Sequence, residues 1–570
     1  MKRIIAMLSA LVLCLSLAAC SSNGETPTGN NPSDDTTAGT LPVLSPDNPH
    51  TLTVWLTTNN QQPNKDNVLD KLLKEELGIT LEYSIVTPDN ATQIVGTMLA
   101  GGKFPDLIGT TDQNARFITG GALIPLDKYL KPEVAPLLAE HVKPYWNNLA
   151  YDAGAVGDGN KHIYILPNYN RYYGEITGGR SYGAPSFMIQ KAVLEDAGYP
   201  SLDNMTIEKF FELIENYKNK YPQIGGKDTI GFEILAVTGR EWGMTNVPMH
   251  LMGWPNNGDV TVDENNKASL FATTDYSKRW FSFLNEQYNK GLVDAESFTQ
   301  TLDGYLAKLG QGNVLGFFDQ FWSSQSAYDA LVASGDYDRT WVPVMPTFDG
   351  IEPWYLDREV MNINQGFGVS VSSTQPEVAV AFLNEMLTEK WQKRLAWGIE
   401  GQDYEVNEEG RFYRTADQRK QGEDLVYKAD HQLAALNDLL PKHQGTYSDG
   451  NAYGPGDQPE EFFVSLSEYD QNFLAKYNKK TWRDFLNQPK DNPVWYPCWN
   501  ITKEDGSEAQ QVSQQMVDMW VKYYPRAIIA KPGEFEGVWT EYLNDFGRIN
   551  TAAYLEVVDK GIADRIALLS

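Results

Sequence analysis

Two short stretches of the sequence combine a tryptophan with planar polar side chains, as carbohydrate recognition requires. Flat aromatic faces stack on the C–H surfaces of sugar rings, and carboxylate, amide or guanidinium groups bind ring hydroxyls. The stretches are GREWGM, with Arg240, Glu241 and Trp242, and GFFDQFWSS, with Asp319, Gln320 and Trp322. Further candidates are Tyr172 in NRYYGE, Trp354 in EPWYLD, Gln365 in NINQGF, and Asn59 and Asn60 in a polar loop.

Each candidate also has a purely structural interpretation. Tryptophan and tyrosine often pack in cores, and Tyr172 could brace a hinge. Arg240 and Glu241 could pair on the surface, where such a pair contributes little, and Asn59 and Asn60 could be ordinary turn residues. Trp397, in WGIEG, and Cys498, among aromatic residues, are predicted to be structural.

Catalytic motifs are missing from the sequence. It contains no G-x-S-x-G and no H-E-x-x-H, and its six histidines are scattered without metal-ligand spacing. The stretch GTMLAGGK resembles a phosphate-binding loop, but it has one residue too many before Lys103 and is followed by Phe104. Spacing cannot pick a glycosidase pair from 75 acidic residues, so an exported hydrolase stays an alternative.

The N-terminus has the pattern of an export signal. Lys2 and Arg3 precede an apolar run too short to span a bilayer, and the run ends in small residues before Cys20. Leu17-Ala18-Ala19-Cys20 resembles the bacterial lipobox, so residues 1–19 are predicted to be a lipoprotein signal peptide and Cys20 the lipid-modified residue. The alternative is ordinary cleavage that leaves Cys20 as a free thiol. Residues 20–48 are predicted to be a disordered linker, because they hold few large apolar groups.

Composition restricts the classes of partner. The formal charge is −28 and basic runs are absent, which excludes nucleic-acid binding. Of three cysteines, only Cys498 lies beyond the lipobox, so no disulfide framework holds the fold. The 570 residues are long enough for two or more domains.

The body begins with alternating strand and helix patterns. TLTVWL (51–56) and ITLEYSIV (79–86) read as strands, NVLDKLLKEELG and ATQIVGTMLAGG (91–102) as helices, and FPDLIGT as the start of a third strand. This order is typical of an open α/β sheet, whose ligands lie at the carboxyl ends of the strands. We therefore expect the loops 55–60 and 106–111 to face one crevice.

Several motifs in a fixed order resemble the family 1 extracellular solute-binding proteins of ABC importers. They are TMLAGGKFPDLIG, GGALIPLDKYL (120–130), KHIYILP (161–167), SFMIQKAVLEDAGYP with TIEKFFELIENYKNKYP (186–222), and the stretch 367–412 with WGIEGQDY. The last stretch and the C-terminal EFEGVWTEYLNDFGRINTAAYLEVVDKGIADR are similar to the large lipoproteins of Gram-positive bacteria in this group. The resemblance covers nearly all of residues 50–570.

The resemblance implies a two-lobed α/β fold of the periplasmic-binding-protein type II, with a ligand cleft between the lobes. The expected hinge crossings lie near 166–171 and 362–368, and a third is expected after Gly410. The expected division is 49–168 for the first part of lobe 1, 169–362 for the first part of lobe 2, 363–410 for the return to lobe 1, and 411–570 for a C-terminal helical part mainly in lobe 2. In this family, the block that corresponds to GFFDQFWSS commonly brings an aromatic residue to the cleft. Trp322 is therefore the first choice as the stacking platform.

One family feature is missing. Many large members carry a calcium loop where this chain has YPQIGGKDTIGFE, and Asp228 and Glu233 alone do not supply alternating oxygen ligands. We therefore expect no metal and no cofactor. DENNKASLF (263–271) lacks a glycine turn and a closing Glu, and is predicted to be a surface hairpin.

The resemblance implies a non-enzymatic, monomeric binding protein, lipid-anchored on the extracellular face of the cell membrane. It would deliver a carbohydrate, expected to be an oligosaccharide, to the permease subunits of an ABC transporter. The alternatives are a binding protein for a peptide or other solute, an exported glycoside hydrolase, or a structural surface protein. The acidic composition argues modestly against uronic-acid chains, although arginines such as Arg171, Arg180 and Arg240 could supply local positive charge.

Overall fold

The computed structural model describes residues 40–567, apart from 59–61, 144–145, 151–160, 169–170, 174–184, 237–238, 358–364, 432–433, 491 and 505. The strands are β1 (His50–Thr57), β2 (Ile79–Val86), β3 (Leu107–Thr110), β4 (Ile165–Leu166), β5 (Arg171–Tyr173), β6 (Ser186–Gln190), β7 (Gln223–Ile224), β8 (Lys227–Asp228), β9 (Ile230–Glu233), β10 (Val260–Val262), β11 (Ala268–Leu270), β12 (Val314–Asp319), β13 (Trp341–Val344), β14 (Gly366–Val369), β15 (Glu405–Val406), β16 (Phe412–Tyr413) and β17 (His443–Gly445). The helices before β13 are α1 (Val68–Leu77), α2 (Pro88–Gly101), α3 (Asn114–Thr119), α4 (Pro136–Val142), α5 (Trp146–Leu149), α6 (Lys191–Asp196), α7 (Ile207–Lys220), α8 (Trp242–Thr245), α9 (Val247–Leu251), α10 (Asp275–Asn289), α11 (Leu302–Leu309) and α12 (Phe321–Ser334). Those after β14 are α13 (Pro376–Met386), α14 (Glu389–Ala396), α15 (Ala416–Glu423), α16 (Leu425–His431), α17 (Ala434–Leu439), α18 (Pro459–Ser465), α19 (Glu468–Lys476), α20 (Glu508–Ile528), α21 (Phe535–Phe546) and α22 (Thr551–Ala567).

The first elements follow the sequence pattern closely. Asn67 caps α1, because its side chain accepts a hydrogen bond from the Asp70 amide at 3.0 Å. Gly78 ends the helix with φ +66°, and a Cβ at this position would lie 2.2 Å from the Ser45 carbonyl oxygen. Only glycine therefore fits the turn that sends the chain into β2. The predicted strands, both helices and the start of β3 are confirmed, with α2 beginning three residues earlier at Pro88.

Sheet A holds five strands in the order β2-β1-β3-β14-β4. β1 pairs in parallel with β2 and β3, whereas β14 runs antiparallel between β3 and β4. Asp106, directly before β3, is bonded to the middle of β1, because its Oδ2 accepts hydrogen bonds from the amide and hydroxyl of Thr53, at 3.0 and 2.7 Å. Because β1 is parallel to β3, and Thr110 at the end of β3 pairs with Gly366 at the start of β14, the carboxyl ends of β1 and β3 lie at the same edge as the start of β14.

Sheet B holds four strands in the order β13-β6-β12-β9. β6 runs antiparallel to β12 and β13, and β9 runs parallel to β12. Asp319 at the end of β12 lies opposite Ser186 at the start of β6, and Val344 at the end of β13 lies opposite Phe187. One edge of sheet B therefore gathers the end of β12, the start of β6 and the end of β13.

The largest group of buried side chains lies around sheet B and includes the C-terminal helices. Phe187 of β6 meets Trp280 of α10 edge to face, with ring centroids 6.0 Å apart. Phe281 of the same helix stacks on Tyr524 of α20 at 3.9 Å. These contacts join α20, α21 and α22 to sheet B, and a smaller core around Trp55 and Phe117 stabilises sheet A. Trp397 is fully buried and Cys498 is 3% exposed, which confirms both as structural residues.

The chain passes from sheet A to sheet B between residues 166 and 186, and returns between 344 and 366. Later elements first contact the surroundings of sheet A, since Asn168 donates to the Asp438 carbonyl at 2.8 Å and the His443 amide donates to Gln392 at 3.0 Å. From α19 onward they contact the sheet B half, where Asp470 pairs with buried Lys191. The domain boundaries given above stay predictions.

Candidate functional site

The chain runs twice between the two sheets, and the sheet edges that these two connections join indicate where a ligand would lie. β4 leaves sheet A at Leu166 and β6 enters sheet B at Ser186, whereas β13 leaves sheet B at Val344 and β14 enters sheet A at Gly366. Gly366 pairs with Thr110, so it lies at the edge where β3 ends. Both passages thus connect the same two edges, and α/β sheets bind ligands outside the carboxyl ends of their strands.

Three predicted residues come together at this edge of sheet B. Trp322 lies in the first turn of α12 and is 55% exposed, whereas most large aromatic side chains here are buried. The ring of Trp242, in the first turn of α8, lies 6.2 Å from it at 38°. The Arg240 guanidinium carbon lies 4.9 Å from the centroid of the Trp322 ring, within cation–π range. Two tryptophans that are 80 positions apart in sequence thus form one aromatic site.

Asp319, the last residue of β12, helps to position this site. It is 1% exposed, and its two oxygens accept hydrogen bonds from the Tyr305 hydroxyl at 2.9 Å and from the Gln320 amide at 2.7 Å. Burial raises the pKa of the Asp319 carboxyl to about 6, while these hydrogen bonds and the charge of Arg240 act to lower it. Asp319 therefore orients the start of α12, the helix that carries Trp322.

Two polar groups beside the tryptophans have unused hydrogen-bonding capacity. Nη1 of Arg240 and Oε1 of Gln320 are buried and have no hydrogen-bond partner among the residues that the structure describes. Unpaired buried polar atoms are costly, so such atoms are usually paired when a ligand or water is bound. Glu241 is half-buried and accepts a hydrogen bond from the Gly239 amide, which fixes it beside Trp242.

Trp354 belongs to a second cluster centred on Asp357. The indole N–H of Trp354 donates to Asp357, and the Tyr496 hydroxyl donates to Asp357 Oδ2 at 2.8 Å. Lys490 covers the Trp354 ring, with its Nζ 4.9 Å from the centroid. Burial raises the pKa of Asp357, and the hydrogen bonds from Tyr496 and Trp354 lower it. One face of Trp354 is therefore already occupied by the protein.

The structure gives less detail on the other predicted residues. Gln365 is half-buried and directly precedes β14 at the sheet A edge. Tyr172 lies in β5, where its backbone is opposite Gln444 of β17. Asn59, Asn60 and Cys20 lie outside the described residues.

The two segments considered for calcium form hairpins. β7 and β8 pair across Gly225 and Gly226, and β10 and β11 pair across a turn in which Asp263 accepts from the Asn265 and Lys267 amides at 2.9 and 2.8 Å. The hairpin predicted for 263–271 is confirmed. Among the described residues, no group of three or more His, Cys, Asp or Glu is placed to hold a metal ion. In the same part of the chain, no helix combines the length and apolar character needed to cross a bilayer.

Sequence reasoning missed a polar group in which Asp259 and Lys503 both contact Tyr554 of α22. The Tyr554 hydroxyl donates to Asp259 at 3.3 Å, and Lys503 lies over the Tyr554 ring with its Nζ 5.4 Å from the centroid. Burial raises the pKa of the Asp259 carboxyl, and the charge of Lys503 acts to lower it. Residues 259 and 503 are 244 positions apart, and no local pattern marks either of them.

Comparisons with known proteins agree on one family. Residues 31–393 match the family of bacterial extracellular solute-binding proteins. The fructooligosaccharide ABC transporter substrate-binding protein FusA of Streptococcus pneumoniae serotype 4 is 26% identical over 340 residues, which cover 57% of this chain and 60% of the relative. The matched part of the chain thus spans less than two thirds of that relative's length.

Solved structures show the same architecture. An HMO-binding solute-binding protein associated with an ABC transporter, from Bifidobacterium longum infantis ATCC 15697, has a TM-score of 0.65 at 17% identity, over 91% of this chain and 99% of that chain. S. pneumoniae FusA in complex with kestose has a TM-score of 0.62 at 15% identity, over 91% and 100%. At these identities the likeness concerns the fold alone, and it confirms the predicted two-lobed α/β fold.

Proposed function

Because the chain belongs to the bacterial extracellular solute-binding protein family, we propose that it captures a carbohydrate outside the cell and delivers it to the permease of an ABC transporter. The ligand is an oligosaccharide. The observation that carries this proposal is the pair of tryptophans, Trp322 and Trp242, with Arg240 over the Trp322 ring, at the edge of sheet B where the chain passages to and from sheet A begin and end. The relative named for fructooligosaccharide and the structure with kestose support a sugar ligand.

The contacts of the nearby carboxylates favour binding over hydrolysis. A glycosidase needs one carboxyl group free to donate a proton and a second free to attack or to activate water. Asp319 already accepts hydrogen bonds at both oxygens, and Asp357 accepts them from Trp354 and Tyr496. These carboxylates are thus used to hold protein groups in place, which supports a protein that is not an enzyme.

The proposed location is the outer face of the cell membrane, with the chain anchored through lipid on Cys20. The lipobox pattern Leu17-Ala18-Ala19-Cys20 and the linker that follows support this proposal. Cys20→Ser should abolish labelling of the protein by a clickable fatty acid and release it into the medium. Labelling of the Cys20→Ser protein at the normal level would contradict it.

The proposed lobe division follows the contacts of the C-terminal half. We place the third passage between residues 446 and 467, because His443 contacts Gln392 in the sheet A half whereas Asp470 pairs with Lys191 in the sheet B half. Lobe 1 then also includes 411–445. Limited proteolysis should cut within 446–467 more slowly when ligand is bound, because closure of the lobes restricts hinge segments.

The carbohydrate proposal is tested by thermal melting of the protein with neutral oligosaccharides, uronic-acid oligosaccharides and peptides. A ligand at a hundredfold excess over its Kd stabilises the folded state by about 2.7 kcal/mol, which is a clear rise in Tm. A rise with a sugar that is recovered intact is the expected result. A rise with peptides alone would refute the carbohydrate ligand, and consumption of the sugar would refute the binding function itself.

A further inference from the structure

One helix, α11, is bonded to both parts of the chain that lead to the tryptophan pair. Tyr305 and Lys308 are three positions apart, so they lie on the same face of α11. Tyr305 is fully buried, and its hydroxyl donates to Oδ2 of Asp319, the last residue of β12, at 2.9 Å. Lys308 Nζ donates to the carboxylate of Asp294, whose amide donates to the Phe232 carbonyl of β9 at 3.0 Å. The same helix is thus attached to β12 and to the segment beside β9.

The first connection runs from Tyr305 to Trp322. The Tyr305 ring meets Phe317 edge to face, with centroids 6.2 Å apart, so apolar packing places the ring and leaves the hydroxyl for Asp319. The other oxygen of Asp319 accepts a hydrogen bond from the amide of Gln320, the N-cap residue of α12, at 2.7 Å. Trp322 lies in the first turn of that helix. The Tyr305 hydroxyl thus fixes the carboxylate that orients the start of α12.

The second connection runs from Lys308 to the backbone that follows β9. Asp294 is the N-cap of the 3₁₀ turn that carries Ser297, so Lys308 holds this turn in place. Ser297 Oγ accepts a hydrogen bond from the Ile234 amide at 3.1 Å and donates to Oε1 of buried Glu233, the last residue of β9, at 2.7 Å. These bonds fix the two residues at which the chain leaves sheet B.

The helix that carries Trp242 packs directly on both strand ends. Gly243 follows Trp242 in α8, and a Cβ at Gly243 would lie 3.5 Å from the Leu235 carbonyl oxygen and 3.7 Å from that of Phe318. Leu235 directly follows the two residues that Ser297 fixes, and Phe318 directly precedes the carboxylate that binds the tyrosine of α11. Movement at either strand end would therefore shift the Trp242 ring relative to its tryptophan partner.

We propose that α11 holds the rings of Trp242 and Trp322 in their relative position, with Tyr305 and Lys308 as positioning residues that do not touch the ligand. The role of this arrangement in sugar binding rests on the carbohydrate-binding function proposed above. Tyr305 is fully buried and the Lys308 side chain is 17% exposed, so neither side chain offers a surface for stacking. A ring pair that is fixed before the ligand arrives loses less conformational freedom on binding, which increases affinity.

The ring geometry is tested first, without ligand. Two indoles whose centroids are 6.2 Å apart give an exciton signal in circular dichroism, and the difference between the spectra of the wild type and Trp322→Ala isolates that signal. Tyr305→Phe, which removes only a hydroxyl, and Lys308→Met should both weaken the signal. If Lys308→Met does not fold, Ser297→Ala tests the same connection through the loss of a single hydroxyl.

Tyr129→Phe is the matched control for Tyr305→Phe. Tyr129 is also buried, and its hydroxyl donates to the Glu377 carboxylate in the sheet A half at 2.7 Å. Its loss should lower Tm as the loss of the Tyr305 hydroxyl does, but it should leave the exciton signal unchanged. If the α11 variants also keep the wild-type signal, α11 does not hold the rings and the inference is refuted.

The consequence for binding is measured as Kd by calorimetry, with the oligosaccharide that raises Tm most. Tyr305→Phe should raise Kd about fivefold in the wild type but less than about twofold in Trp322→Ala, because a positioning residue has little effect once the ring that it positions is gone. An equal increase in both backgrounds would refute the positioning role of Tyr305. If the wild type binds no sugar, the carbohydrate function is refuted, whereas a weakened exciton signal in Tyr305→Phe would still support the placement of the rings by α11.

Discussion

Replacing Trp322 with alanine should weaken sugar binding at every ligand length while the fold stays intact. The side chain is 55% exposed, and its ring is positioned by Trp242 and Arg240 rather than enclosed by the core. Surface substitutions of this kind usually change the free energy of unfolding by less than about 0.5 kcal/mol. The variant therefore separates binding from stability.

The size of the effect follows from the exposed area. A tryptophan side chain buries about 250 Å² when fully covered, so the exposed fraction of Trp322 corresponds to about 140 Å². A sugar ring on one face removes about half of this area from water, which contributes about 1.7 kcal/mol at about 25 cal/mol per Å². The expected increase in Kd is about 20-fold.

The assay is titration calorimetry with whichever oligosaccharide raises Tm most in the melting screen. Tyr413→Ala is the matched control, because Tyr413 is an aromatic residue of 40% exposure in β16, away from the sheet edge that carries Trp322. The control should bind like the wild type. A Kd for Trp322→Ala within twofold of the wild-type value, with an unchanged Tm, would refute the assignment of Trp322 as the stacking platform.

Three further variants test other parts of the structure. Burial holds the pKa of Asp319 at about 6, above the usual 3.8, so the folded protein binds this proton more tightly than the unfolded chain does. The free energy of unfolding should therefore fall by up to about 3 kcal/mol as pH rises from about 4 to about 6. In calorimetric scans, Asp319→Asn should lack this contribution to the pH dependence. If the variant shows the same pH dependence as the wild type, the assignment to Asp319 is wrong. Lys191 is fully buried and bonds Asp470 at 2.5 Å, so Lys191→Met should lower the free energy of unfolding in urea by about 3–5 kcal/mol, and replacing Asp470 with leucine as well should restore most of it. If the double variant is no more stable than the single one, the loss does not come from an unpaired buried charge. Lys161 pairs with Asp564 of α22 at 3.2 Å, across the two halves, and a pair this exposed contributes at most about 1 kcal/mol. In low salt, Asp564→Asn should have a larger radius of gyration than the wild type without ligand, and in 1 M salt the two proteins should have the same radius. If the variant and the wild type have the same radius in low salt as well, the pair does not hold the halves together.

Local sequence signals predicted the elements that depend on local chemistry. The alternating pattern of residues 51–56 and the helical pattern of residues 67–78 each depend on neighbours within a few positions, and the strand and the helix that they predict are both present in the structure. The same holds for the turn at 263–267, where Asp263 accepts hydrogen bonds from amides two and four residues later. Periodicity and capping are short-range properties, so a single sequence contains them.

The candidate site was predictable in part. Trp322, Trp242 and Arg240 were identified from their residue types, and the structure brings these three together. For Asp319 the residue type suggested a ligand contact, whereas its carboxylate is occupied by Tyr305 and the Gln320 amide. Whether a polar side chain faces a ligand or another side chain depends on packing that residue type does not encode.

The sequence by itself determined the elements, the family resemblance, the acidic surface and the types of residue available for a sugar. Only the tertiary structure decided which of them meet, because the contacts that build the site join distant parts of the chain. Trp242 and Trp322 lie 80 positions apart in sequence, and Tyr554 reaches Asp259 only when the C-terminal helices pack on sheet B. That packing is driven by burial of apolar surface, which is non-directional and leaves no short-range signature in the sequence.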